Sequence, residues 1–105
     1  MTIMELMNIL KATGYPVAYS HFTEATKLPY ICFLVDDSPH MVADNKVHQK
    51  INDIHIELYT TKKDVKVEEV LENILDKYEI PYHSGPDVYI QSEKVFQKTY
   101  EVRVL

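Results

Sequence analysis

Glycine occurs only twice in the 105 residues, at Gly14 and Gly85, and cysteine only once, at Cys32. Loops that cradle phosphates need several glycines close together, so P-loop and dinucleotide-binding fingerprints are excluded. A lone thiol cannot close an internal disulfide, which excludes a small secreted disulfide scaffold and makes a cytosolic origin the simpler expectation. Long apolar runs are also missing: the longest, Ile31 to Val35, falls far short of the ~20 residues a membrane span needs. The N-terminal stretch carries an acid at Glu5 and no basic region, so it does not read as a signal peptide. Basic excess is lacking as well. Eleven Lys and Arg stand against 16 Asp and Glu, a net charge of −5, which argues against a dedicated nucleic-acid binder. No internal repeat or low-complexity tract occurs.

What remains is ordinary globular material. Apolar residues make up 46% and charged residues 26% of the chain, which argues against disorder, and the length fits one domain over residues 1–105. The spacing of Ile3, Leu6, Met7 and Leu10 predicts a helix over 3–13, opened by a Thr2/Glu5 capping box and closed by Gly14 and Pro16. Val17 to Phe22 reads as a short strand and 23–28 as a loop. Pro29 opens a run at 30–36 that is apolar on both faces, the pattern of a central strand covered on both sides. A polar connection over 37–46 leads into a long strand, 47–60. Ile54, Ile56 and Leu58 alternate there with His55, Glu57 and Tyr59, while Ile51 lies out of phase and predicts a bulge near Asn52 and Asp53. This length mismatch predicts a projecting hairpin arm.

Asp64 caps a second helix over 65–79, with Val67, Val70, Leu71, Ile74, Leu75 and Tyr78 on its apolar stripe and Lys66, Glu68, Glu69 and Glu72 toward solvent. Ser84 to Asp87 reads as a turn, 88–91 as a strand, 92–94 as a turn and 95–105 as the closing strand. In that last strand Phe96, Tyr100, Val102 and Val104 should face the core and Gln97, Thr99, Glu101 and Arg103 the other way. The order α-β-β-β-α-β-β with short connections predicts an α+β fold. Its antiparallel sheet of four to five strands carries two helices packed on one face, leaving the other face open.

No constellation with the spacing of a catalytic or metal site emerges. His55 and Glu57 share a strand face and could chelate, yet zinc needs three or four ligands, and HExxH and CxxC patterns are absent, so a solvated strand face is the better reading. Cys32 sits in an apolar run, where a thiol behaves as a small hydrophobe. Ser84 follows His83, but adjacent residues rarely point at one another. The pair Asp36 and Asp37 closes a strand, and the glutamates of the second helix lie near its positive end. Lys46, His48 and Lys50 share one strand face and, with Lys62, Lys63 and Lys66, could form a modest basic patch, as fit for an acidic protein neighbour as for nucleic acid. Eight tyrosines suit either a sheet or a protein interface. The candidate functional surface is therefore an interface: His40, Met41, Val42, Lys46, His48 and Lys50 in and beside the arm, with Tyr59 and Tyr89 on strands.

Several segments together carry a family resemblance: Gly14-Tyr15-Pro16-Val17-Ala18-Tyr19, Leu28-Pro29-Tyr30-Ile31, the stretch from Ala43 to Ile51, Ile56-Glu57-Leu58-Tyr59-Thr60, and the stretch from Tyr89 to Glu101. The chain resembles small proteins of phages and prophages of Gram-positive bacteria, related to the tail-completion (tail-terminator) proteins at the head–tail junction of long-tailed phages. The resemblance covers nearly the whole chain, and its motifs are structural. It implies a subunit of a homo-oligomeric ring, often hexameric, that caps the tail tube and docks to the head connector. The protein would then reside in the virion, and in the host cytoplasm during assembly. The resemblance brings no catalytic residue, cofactor or metal, and implies no membrane or specific nucleic-acid partner. His48 stands where an aromatic is expected and Gln91 where an acid is expected. A competing expectation is a small phage-encoded binding module or inhibitor acting on a host protein. An enzyme is the weakest reading, because no set of residues meets the requirements of an active site.

Overall fold

The computed structural model describes residues 1–35 and 53–104. The expected arm, the polar connection over 37–46, the 47–52 part of the long strand and the bulge expected at Asn52 lie outside the described residues.

Helix α1 (Ile3–Lys11) starts with the capping box that its sequence spells. The Glu5 N–H donates to the Thr2 hydroxyl at 3.2 Å, and the Thr2 N–H donates to the Glu5 carboxylate at 2.9 Å. Leu6 and Leu10 are fully buried, whereas Ile3, assigned to the same stripe, is exposed. Gly14, at φ +87, turns the chain away from the helix. Strand β1 (Val17–Tyr19) is shorter than the expected 17–22, because Ser20 enters the left-handed region at φ +71 and breaks the extended run. Strands β2 (Tyr30–Val35) and β3 (Asp53–Thr60) precede helix α2 (Val65–Lys77). Asp64 caps α2 through the Val67 N–H. The helix ends two residues before the expected Glu79, which itself takes φ +54.

The five strands pair in the order β1-β2-β3-β5-β4. Three of the four pairings are antiparallel, as expected, but β1 runs parallel to β2, with Val17 opposite Ile31, so the sheet is mixed. An antiparallel return needs only a tight turn. Here residues 20–29 are long enough to carry the chain back across the sheet before β2 begins, with Phe22 packed edge-on against Tyr30.

Strand β4 (Tyr82–Ile90) corrects another expectation. The Ser84–Asp87 segment, read as a turn, is an irregularity inside one long edge strand paired with β5 (Val95–Arg103), and the register shifts between Ser84 and Asp87. An edge position tolerates Pro86, whose missing N–H is not needed for the ladder. Gly85 is needed for close approach, since a Cβ there would stand 3.0 Å from the Thr99 carbonyl oxygen.

Helices α1 and α2 cover one sheet face. Leu6 and Leu10 of α1 and Leu71 and Leu75 of α2 pack with Ile31, Phe33, Ile54, Ile56, Leu58, Tyr100, Val102 and Val104 in a single core. On β3 burial alternates strictly, as the sequence predicts. Glu68 and Glu72 do not point to solvent as expected. Glu68 accepts from Lys63, and Glu72 accepts the Tyr100 hydroxyl proton at 2.7 Å, because β5 runs beneath the flank of α2 and brings a buried phenol to it. Among the described residues, no helix is long and apolar enough to cross a membrane.

Candidate interaction surface

The register defines the composition of the sheet face that carries no helix among the described residues. Tyr30 lies opposite Tyr59, Cys32 opposite Glu57 and Leu34 opposite His55. On the far side of β3, Tyr59 meets Gln97, Glu57 meets Thr99, His55 meets Glu101 and Asp53 meets Arg103. Side chains alternate across a strand, so all of these share one face. The 20–29 loop folds over part of it. This accounts for the run at 30–35 being apolar on both sides: the core covers one side, and the loop helps to cover Cys32, which is 3% exposed, on the other.

Among the described residues, a hollow stands at either end of this face. The first, of about 340 Å³, lies between the 20–29 loop, the stacked rings of Tyr30 and Tyr59, and the β4–β5 turn. The two rings lie 4.9 Å apart at 29°, and Phe22 meets Tyr30 at 5.1 Å. The Tyr59 hydroxyl donates to the Glu57 carboxylate at 3.0 Å and accepts from the Gln97 amide at 2.9 Å, which fixes the ring. Burial pushes the Tyr59 phenol well above its ordinary value, opposed by the Gln97 bond and reinforced by the Glu57 charge. Burial likewise raises Tyr30, with Cys32 and Glu93 adding to it. The Cys32 thiol is pushed up to about 11, first by burial and then by Glu57. These groups stay protonated at neutral pH, so the hollow presents hydroxyls and rings and no activated nucleophile.

The second hollow, of about 480 Å³, lies at the other end of the face. Glu101 pairs with His55 on one side and His83 on the other, and Arg103 holds Asp53 at 2.9 Å. No three His, Cys, Asp or Glu residues among the described residues are placed to hold a metal ion. Glu57, the expected partner of His55, is instead occupied by Tyr59. His83 and Ser84 lie on opposite faces, opposite Glu101 and Tyr100 respectively.

Of the residues expected at an interface, His40, Met41, Val42, Lys46, His48 and Lys50 lie outside the described residues. Tyr59 lies on the helix-free face. Tyr89 lies on the other face, paired with Phe96 at 5.0 Å and 49% exposed, so the two tyrosines do not share one surface. Within the expected basic patch, Lys63 is already engaged by Glu68 and Asp87, both at 2.9 Å. Sequence reasoning missed Phe22, Glu24, Tyr30, Glu93 and Gln97 as members of one site. They come from a loop, two strands and a turn, and only strand register and the path of the loop bring them together.

Comparison with protein-family models gives no match to this chain, and comparison with curated proteins gives no significant relative.

Proposed function

We propose that this protein acts by fitting against other protein surfaces, as a subunit of a ring at the head–tail junction of a long-tailed phage, where it caps the tail tube and meets the head connector. The observation that carries the reading is the sheet with one face free of helices among the described residues, rich in tyrosine, histidine and acid, in a chain whose sequence resembles tail-completion proteins along nearly its whole length. A closed ring needs two different patches per subunit, each burying on the order of 1,000 Å² or more in total. A β-sheet face and the edge strand β4, with Val88 and Tyr89 exposed, offer two such patches on one small domain. The acidic balance suits a lumen that DNA passes without adhering. The reading involves no substrate turnover.

Light scattering and negative-stain imaging of the protein, alone, with purified tail tubes and with purified head connector, test this proposal. The expected result is a closed ring, either free or at tube ends. A monomer that ignores both tube and connector overturns it, and stoichiometric capture of one host protein by that monomer would favour the inhibitor reading instead.

A further inference from the structure

We propose that the hollow beside the 20–29 loop is the seat of an arginine side chain presented by a partner protein. The inference goes beyond the assembly reading and stands without it, since it concerns the isolated chain.

The hollow combines two recognition elements for a planar cation. Phe22, Tyr30 and Tyr59 supply aromatic surface, and Glu24 and Glu93 stand at its rim on opposite sides, one on the loop and one on the β4–β5 turn. Neither carboxylate has an ion-pair partner among the described residues. Among the described residues no lysine or arginine lines the hollow, and its other titratable members are His21 and Cys32. Beneath the rings, Glu57 adds a third negative charge in hydrogen-bond contact with Tyr59. Among the described residues the site therefore holds uncompensated negative charge beside aromatic rings, the arrangement that attracts a cation to within ~6 Å of a tyrosine centroid.

A guanidinium fits this arrangement better than an ammonium. It is planar, stacks on aromatic rings, and carries donors in a fork that can serve carboxylates on two sides at once. The hollow, at about 340 Å³, has room for about ten waters at their liquid volume, more than a lone guanidinium fills. Gln97 and Thr99 continue the face beside it, so a polypeptide carrying the arginine would lie along that face with its backbone outside the hollow.

The test is an NMR titration of the ¹⁵N-labelled chain with the peptide acetyl-Gly-Arg-Gly-amide, its neutral citrulline twin and its lysine twin. The expected result is saturable shifts of backbone amides over 20–26, at 30 and 59, and over 90–94 with the arginine peptide. Binding should weaken about tenfold or more with citrulline, and likewise in the double variant E24Q/E93Q, as loss of charge-assisted hydrogen bonds requires. Both glutamates are exposed, so the variant should keep the parent spectrum elsewhere and remain readable. Equal binding of the citrulline or lysine peptide, an undiminished response in the variant, shifts centred elsewhere, or no saturable shift at tens of millimolar peptide would each overturn the proposal.

Discussion

At the scale of single residues, two buried groups define how this protein responds to mutation and pH. The Tyr100 ring is completely buried while its hydroxyl donates to Glu72, so one side chain serves both the core and a polar clamp on α2. Y100F keeps the ring but leaves a half-buried carboxylate without its donor. It should cost about 1–3 kcal/mol in urea denaturation, with an unchanged denaturant slope. Cys32 governs the first alkaline response. Its folded pKa, at about 11, lies above the ordinary 9.0, so the stability it contributes is complete below pH 9 and is lost as pH rises toward 11. Tyr30, Tyr59, Tyr82 and Tyr100 are shifted in the same direction from 10.0 and add to the loss as pH approaches and passes that value. Denaturation curves between pH 8 and 9 should therefore show falling stability in the parent and a flatter profile in C32A. An equal slope in both would remove Cys32 as the cause.

At the scale of elements, ends and irregularities matter most. The capping box satisfies free N–H groups at the start of α1, and T2A should lower stability by about 1 kcal/mol, seen as a shift in the thermal midpoint. The Glu5 carboxyl is held below its ordinary 4.5, first by the Thr2 N–H, so that contribution is present above this pH and lost as pH falls further. The irregularity in β4 is less forgiving. G85A places a methyl 3.0 Å from a backbone oxygen that cannot move without disturbing β5. It should cost about 1–3 kcal/mol, and hydrogen exchange should quicken at the amides flanking the register shift before it does elsewhere. Lys63 ties the start of α2 to β4 through Glu68 and Asp87, but it is largely exposed, and removing it should have a much smaller effect.

At the scale of the whole molecule, one core serves every described element except the outer part of the β4–β5 hairpin. Leu71 and Leu75 close the sheet against α2 with no exposure at all. L71A should cost 2–5 kcal/mol, depending on how far the core collapses around the lost volume. Circular dichroism and tyrosine fluorescence should report one shared transition, because no second core exists among the described residues to unfold separately. The two sheet faces divide the labour: one supplies stability, and the other supplies the surface on which the proposed contacts act.

The sequence by itself determined the helices, their caps, the alternation along β3 and from Tyr100 on in β5, and the α+β class, because each depends on periodicity and on near-neighbour chemistry that a linear pattern records. It also determined that Cys32 is a buried thiol, since its neighbours are apolar on both sides. Only the tertiary structure decided that β1 runs parallel to β2, that Gly85 and Pro86 bend a strand and do not end one, and that Glu68 and Glu72 face partners. It alone gathered Phe22, Glu24, Tyr30, Tyr59 and Glu93 around one hollow. Each of these depends on the path of a loop or on the register between strands distant in sequence, and both are fixed by packing of the whole chain against one core.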